Sequence, residues 1–193
     1  MDRDRSVGAV ILAAGASRRY GSPKQLVVVD GRTLLEQVVV VAIAAGLAPV
    51  VVVVPAWLSP PASLDDPRLR WIRNAFPERG LSLSLRLGIG AIAEGVSAAL
   101  ILLGDQPGVA AATIAAVLRA RGARPIVAAF ADGVAAPPVL IERKHFHLID
   151  GLSGDFGLRE LLRENPELVT RVPVRAHAPD VDTPADLGPI GHP

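Results

Sequence analysis

The chain contains no cysteine, a single methionine and only 4% aromatic residues. Without cysteine it has neither a disulfide framework nor a thiolate metal site, which fits a reducing compartment such as the cytoplasm. With so few aromatics the interior has to be filled by Val, Leu, Ile and Ala, the composition of buried parallel strands covered by helices. Neither sign of charge prevails: 20 Lys and Arg stand against 19 Asp and Glu, for a net charge of +1. A nucleic-acid surface normally carries a basic stripe, and none is present here. A small anionic substrate stays open, since it needs only a local pocket. Long hydrophobic spans are missing too. Residues 7–16 have the look of a signal-peptide core, but mixed charges precede them and Arg18 and Arg19 follow at once. Residues 38–54 are apolar but broken by Gly46 and Pro49, short of a membrane-spanning helix. The chain reads as a soluble, cytoplasmic protein with one domain, residues 1–193, and no nucleic-acid or membrane partner.

What is present is a regular alternation of strand and helix signals. Residues 7–13 form a short apolar run, a first buried strand, and residues 14–24 a glycine- and serine-containing loop. Thr33 with Glu36 three residues later has the pattern of a capping box, starting a helix that runs to about Ala45 and ends at Gly46. The β-branched run 50–54 is a strand closed by Pro55. The proline-rich stretch from Pro55 to Pro67 holds no regular structure beyond a turn of helix. Further strands are expected at 69–73, 98–103, 125–130, 139–141 and 168–172. Helices are expected at 81–93, 113–121, 142–148, 156–164 and 182–187. The Leu-Ser-Leu-Ser-Leu alternation from Leu81 to Leu85 also suits a strand, though helix is the reading adopted. This order implies an α/β protein: a three-layer, Rossmann-like sandwich with a mainly parallel sheet and helices on both faces. Ligands of such sheets sit beyond the carboxyl ends of the strands, where the 13–24 loop and Asp105 both fall.

The loop Leu12-Ala13-Ala14-Gly15-Ala16-Ser17-Arg18-Arg19-Tyr20-Gly21-Ser22-Pro23-Lys24 carries the strongest chemical signal. A glycine-containing loop straight after a strand can turn its N–H groups toward a polyphosphate, and Arg19 and Lys24 add positive charge. It is not a Walker loop, because the spacing of Gly15 and Gly21 is wrong and no Gly-Lys-Ser/Thr follows. On the residues alone, a surface loop with incidental basic side chains is an equal reading. Asp105 at a strand end is placed to help hold Mg²⁺, although an aspartate there also serves as a helix cap or turn former. Capping or helix-dipole roles suit Asp180 and Asp186 better. Gly88, Gly90 and Ala93 fit a loose dinucleotide fingerprint without its strand–turn–helix context. His145 and His147 are two apart, so on a helix they diverge and read as surface residues. Asp155 and Arg159, four apart, suit a helix-face pair as well as acceptor binding.

Residues 12–24 resemble the signature of the MobA/MocA-type nucleotidyltransferases, roughly L-A-A-G-x-S-x-R-M-G-x-x-K. The matches are Leu12, Ala13, Ala14, Gly15, Ser17, Arg19, Gly21 and Lys24; Tyr20 departs from the usual Met. Asn74 with Gly80, Ser82 and Ser84 is similar to the N…G-x-S-x-S segment, and Leu103-Gly104-Asp105-Gln106-Pro107 to L-G-D-Q-P. Gly154 to Arg159 resembles G-D-x-G-A-R, and Asp180 to Leu187 resembles D-I-D-T-P-E-D-L. The likeness covers nearly the whole chain, in order, and is nearest to the molybdenum cofactor cytidylyltransferase branch. It implies a nucleotide-diphospho-sugar transferase-like fold and an Mg²⁺ ion held by Asp105 and Asp182. It implies catalytic roles for Arg19, Lys24 and Asp105. It implies nucleotide contacts from Leu12, Ala13, Ala14, Gly15, Ser17, Arg19, Lys24, Asn74, Gly80, Ser82 and Asp105.

The activity implied is transfer of CMP from CTP to a phosphorylated acceptor such as molybdopterin, with pyrophosphate released. Transient contact with a molybdoenzyme or its chaperone goes with that role. CTP is favoured because guanylyl branches read Leu-Ala-Gly-Gly where this chain has Leu12-Ala13-Ala14-Gly15, and the methyl of Ala14 narrows the space for a purine. One departure bears on the acceptor: Ala136-Pro137-Pro138-Val139 stands where the branch commonly carries Gly-His-Pro-Val. The rival readings are a guanylyl- or other nucleotidyltransferase, a non-catalytic nucleotide- or cofactor-binding maturation protein, and an oxidoreductase on the same scaffold.

Overall fold

The computed structural model describes residues 6–15, 20, 23–92, 94–154, 157–176, 180–181 and 186. Its first strand, β1 (Val7–Leu12), is followed by a short 3₁₀ turn (Lys24–Leu26) and a small hairpin, β2 (Val28–Val29) and β3 (Arg32–Thr33). Then come α1 (Leu34–Ala44), β4 (Val50–Pro55), β5 (Leu69–Asn74), α2 (Leu81–Ile92), β6 (Ala98–Leu103) and α3 (Ala111–Arg119). The chain continues through β7 (Ile126–Ala131), β8 (Val134–Glu142), a 3₁₀ segment (Arg143–Ile149), α4 (Leu158–Glu164) and β9 (Val169–Pro173). Among the described residues the main sheet has seven strands in the order β5-β4-β1-β6-β8-β7-β9, and all run parallel except β8.

The inner strands β1, β4 and β6 are sandwiched, so both of their faces are apolar. Along β1, Ala9 and Ile11 join the core beneath α1 and α3, while Val10 and Leu12 join the core beneath α2 and α4. The result is a three-layer sandwich, a mainly parallel sheet with helices on both faces. The alternation at Leu81–Leu85 resolves as helix: Ser82, Ser84, Leu85, Gly88, Ile89 and Ile92 are its buried residues, a helical spacing. Gly88 sits where α2 meets the sheet, and a Cβ there would come 2.3 Å from Val10 Cγ1. The glycine of the loose dinucleotide fingerprint therefore serves helix–strand packing.

The start of α1 is capped as the sequence indicates. Thr33 Oγ1 accepts from the Glu36 N–H at 3.1 Å, and Glu36 Oε2 accepts from the Thr33 N–H at 2.6 Å. The helix stops at Gly46, whose φ of +78° is the left-handed conformation that glycine favours.

Other expectations need correction. The short strand expected at 139–141 is the nine-residue β8, antiparallel in the sheet. Its register against β7 jumps from Ala128↔Val139 to Ala129↔Ala136, so Pro137 and Pro138 fall in the bulge. Prolines lack the ladder N–H, and a bulge is where a strand tolerates them. The helix expected at 142–148 is the 3₁₀ segment, and the His145 and His147 rings lie 5.9 Å apart on it, closer than divergent α-helical positions would bring them. The β2–β3 hairpin was not anticipated, though Asp30-Gly31 has φ of +52° and +78°, the signature of a tight two-residue hairpin turn. Asp132-Gly133 makes the same turn between β7 and β8, at +51° and +77°. The helix expected at 182–187 lies, apart from Asp186, outside the described residues. No helix is long and apolar enough to cross a membrane, among the described residues.

Two outcomes follow for stability. Thr33→Ala removes a cap worth about 1 kcal/mol, measurable in urea unfolding. Glu36 is held below its ordinary carboxyl range, first by the Ser63 hydroxyl and then by its bonds to Thr33. A lowered folded pKa stabilises above the unfolded value and is lost as pH falls through the folded one. The stability gap between wild type and Glu36→Gln should therefore be full above pH 4.5 and shrink below it. The two helical glycines of α2 should separate cleanly. Gly88→Ala forces Val10 aside and destabilises by about 1–3 kcal/mol. Gly90→Ala meets nothing within 4 Å and stabilises by about 0.5–1 kcal/mol. Equal melting shifts for the pair would contradict the packing argument.

Candidate active site

The carboxyl ends of β1 and β6 lie side by side, because these strands pair from Val7↔Ala98 to Leu12↔Leu103. Beyond them the chains stay in contact. The Gly104 N–H donates to Leu12 O at 2.9 Å and the Ala13 N–H to Val53 O at 2.8 Å. The approach is close enough to demand glycine at 104, where a Cβ would stand 2.8 Å from that of Ala13. Leu12, Ala13 and Ala14 are all buried, with the Ala14 methyl in the core beneath α2. These three residues offer a ligand their backbone, and Gly15 beyond them is exposed.

A residue that the sequence reading passed over organises this loop. Gln25 is buried, and its Nε2 donates to both Ala13 O and Gly15 O at 2.8 Å. The two carbonyls lie just past the strand end and gain a partner the sheet ladder does not supply. Nothing in the pattern flags Gln25 beyond its place next to Lys24.

Lys24 and Asp105 are 81 positions apart and meet at this edge, with Lys24 Nζ 2.5 Å from Asp105 Oδ2. Both side chains are mostly sheltered, at 12% and 22% exposure. The carboxyl-terminal segment docks here too. The Val181 N–H donates to Asp105 O at 3.0 Å, and Val181 is buried against Val29 and Leu34. Asp180 Oδ1 accepts from Gln106 Nε2 at 2.7 Å and so ties this segment to the turn after β6; the residues it would cap lie outside the described ones. Asp182, expected as a metal ligand, lies outside the described residues, as do Ser17, Arg19 and Asp155.

Asn74, Gly80 and Ser82 gather at the other side of β1, around the start of α2. Asn74 is fully buried, its Nδ2 donating to Ser84 Oγ at 3.0 Å and its Oδ1 accepting from the Phe76 N–H at 2.9 Å. Gly80 has φ of +87°, which turns the chain into α2. Ser82 is fully buried, and its Oγ has no hydrogen-bond partner among the described residues. A buried hydroxyl left unpaired is costly.

On the far side of β6 the sheet splits. Pairing with β8 ends at Ile101↔Val139, where Pro138 and Pro137 leave the ladder, so the Asp105 turn stands clear of β8. A cavity of about 500 Å³ lies beneath α3, with Val109, Thr113, Ala129, Pro137, Pro138 and Pro173 among its walls. Pro137 of the departing segment thus shares a cavity with Gly108 and Val109, which follow the turn that bears Asp105.

The donor set suits a hard divalent cation. Among the described residues no three His, Cys, Asp or Glu side chains come together. Mg²⁺ needs one or two carboxylates and completes its shell with phosphates and water, which fits a strand-end aspartate such as Asp105.

Residues 9–170 match the family described as MobA-like NTP transferase domain. Nicotine blue oxidoreductase from Paenarthrobacter nicotinovorans is 32% identical over 192 residues, covering 92% of both chains. The crystal structure of Rv0371c from Mycobacterium tuberculosis H37Rv superposes with a TM-score of 0.81 at 30% identity, covering 96% of this chain and 97% of that one. A second structure of Rv0371c, in complex with manganese, gives 0.77 at 26% identity over 96% and 98%. By its β1–β6 edge, its loop signature and these similarities over almost its full length, the chain belongs to the MobA-like NTP transferase domain family.

Proposed function

We propose that this protein transfers CMP from CTP to a phosphorylated acceptor of the molybdopterin type, in an Mg²⁺-dependent reaction that releases pyrophosphate. The observation that carries the reading is the meeting of Lys24 and Asp105 at the carboxyl edge of β1 and β6. An ammonium and a carboxylate in contact hold each other in place while no substrate is bound. Asp105 would hold the cation, and Lys24 would contact the phosphates of a bound triphosphate. Asp182, which follows the docked Val181 in the chain, is the proposed second metal ligand. The manganese complex of Rv0371c supports divalent metal use in the family.

Mg²⁺ bound there supplies neutralisation of the polyphosphate charge. Everything else falls to positioning. The loop at Leu12–Gly15 offers backbone groups to the nucleotide, and Gln25 holds it in shape. Lys24 would contact the triphosphate, and Arg19 and Ser17 of the same loop are the proposed further contacts. The acceptor's phosphate oxygen bonds to the α-phosphorus, the α–β anhydride bond breaks, and its electron pair leaves on pyrophosphate. Asn74, Gly80 and Ser82 set the entry to α2 and are the proposed remaining nucleotide contacts. Contact with a molybdoenzyme or its chaperone would deliver the product.

The similarity to a protein named nicotine blue oxidoreductase keeps a redox activity as the rival. Pyrophosphate release separates the two, since a redox reaction produces none. With CTP, Mg²⁺ and a molybdopterin-type acceptor, wild type should release pyrophosphate. Asp105→Asn should lower that rate at least 100-fold, the loss typical of removing one preorganised charge contact of about 3 kcal/mol. Lys24→Ala and Arg19→Ala should reduce turnover more than they weaken CTP binding, because charge builds on the departing pyrophosphate. Unchanged kinetics in all three variants would remove this edge from the mechanism.

Base choice is a separate test. The Ala14 methyl packs into the core beneath α2 and so does not itself narrow the space for a purine, contrary to the expectation from sequence. Side-by-side calorimetric titrations with Mg²⁺ should show CTP binding at least about tenfold more tightly than GTP, because loop backbone groups left unpaired by the wrong base cost affinity. Ala14→Gly, which relaxes that backbone, should move preference toward the purine. Tighter binding of GTP to wild type would overturn the cytidylyl assignment alone.

A further inference from the structure

Asp105 stands on a turn that belongs to no helix or strand. Within the turn, the Gln106 N–H donates to Leu103 O at 3.3 Å and the Val109 N–H to Gln106 O at 3.2 Å. Those bonds fold the turn locally. A segment 74 positions further on ties it down from outside. The Val181 N–H donates to the Asp105 carbonyl at 3.0 Å, and Gln106 Nε2 donates to Asp180 Oδ1 at 2.7 Å. Two consecutive residues of the turn are thus held by two consecutive residues of the carboxyl-terminal segment.

Burial makes this contact firm. Gln106 is 6% exposed and Val181 fully buried. A buried amide left without a partner is costly, and Asp180 answers it with a carboxylate oxygen, the stronger kind of acceptor. Val181 packs against Val29 of β2 and against Leu34, the first residue of α1. The β2–β3 hairpin therefore supplies one wall of a socket for Val181. The chain reaches this socket after β9, and β7 and β8 lie between that strand and β6 in the sheet. Sheet pairing does not bring residues 180 and 181 to the Asp105 turn; the amide bond and the apolar plug do.

We propose that Gln106, Asp180 and Val181 form the positioning device for the cation-holding carboxylate: the Gln106–Asp180 bond and the Val181 plug fix the turn that carries Asp105. The inference rests on the transferase reading, in which Asp105 holds the divalent cation. A carboxylate on a turn keeps its direction only while the backbone beneath it is fixed. Partners one step beyond a metal ligand accordingly govern affinity as well as the ligand does. Asp180 acts through Gln106 and needs only an acceptor oxygen for that; an asparagine retains one.

The probe is Mn²⁺ alone, which takes oxygen donors as Mg²⁺ does and is followed as the free ion by electron paramagnetic resonance. Wild type should bind it, and Asp105→Asn should weaken binding about tenfold or more. Gln106→Ala and Asp180→Ala should each weaken it about tenfold, and the double variant no further, since all three lose the same contact. Asp180→Asn should stay within about threefold of wild type, because its amide oxygen still accepts from Gln106. Trypsin cleavage after the exposed Arg175 reports release of the segment and should quicken in the two alanine variants. Circular dichroism checks the fold; Asp180 is exposed, so its variants keep the test if Gln106→Ala does not fold. Wild-type Mn²⁺ affinity in a folded Gln106→Ala or in Asp180→Ala would overturn the positioning role, whether or not trypsin cuts the chain faster. So would an Asp180→Asn as weak as Asp180→Ala, since the carboxylate charge would then act on the cation directly. If Asp105→Asn binds Mn²⁺ as wild type does, the cation site and the positioning role fall together. If Asp105→Asn and Gln106→Ala both lose Mn²⁺ while CTP yields no pyrophosphate, the device stands and the transferase reading falls.

Discussion

The side-chain amide of Gln25 holds together the part of the molecule on which the candidate chemistry depends. Strand β1 is central and buried, and where it ends its carbonyls leave the ladder before they reach water. A buried carbonyl without a donor is costly, and the two N–H groups of one amide meet Ala13 and Gly15 together. Because Gln25 follows Lys24 in a single 3₁₀ turn, fixing the amide also fixes where the lysine emerges. It emerges against Asp105. The loop, the cation and the carboxylate are thus coupled through one buried contact, with Gly104 permitting the backbones to approach.

The second constraint is the split between β6 and β8. A continuous ladder would have sealed the sheet across the Asp105 turn. Pro137 and Pro138 cannot donate to that ladder, so the register jumps and the strands part just where β6 delivers its aspartate. The antiparallel β8 then carries the chain back through the Asp132-Gly133 turn, which puts the tip of the hairpin on the same edge. Ligand sites at the carboxyl ends of an open α/β sheet are a general outcome of this architecture. Here the prolines line a cavity beneath α3, and a second cavity lies beside α4 on the other face of the β7–β8 pair.

Charge is organised locally rather than globally. A net charge of +1 creates no long-range field of one sign, yet opposite charges meet at Lys24 and Asp105 while three arginines share one cavity. Elsewhere ion pairs serve the scaffold. Arg121 makes two 2.8 Å bonds to Glu142 and a third, at 3.1 Å, to Ser97, binding the segment after α3 to the end of β8 and the start of β6. Such bidentate pairs carry geometric information that scattered surface charges lack.

Most of the fold was legible in the sequence because its signals are local. Apolar runs marked β1, β4 and β6, the Thr33–Glu36 box marked α1, and alternation of the two element types implied the parallel sandwich. The loop and strand-end motifs likewise marked Leu12 to Gly15, Lys24 and Asp105. What local signals misjudged was β8, where prolines hid a strand that only its neighbours define, and the hairpins, whose Asp-Gly turns went unread. Tertiary structure alone decided three things. It brought Lys24 to Asp105, made Asp180 a partner of Gln106, and gathered Arg159, Arg163 and Arg171 around one cavity. The reason is physical: propensity and periodicity act over a few residues, whereas these contacts join segments up to 81 positions apart, and only the register of the sheet determines which of them meet.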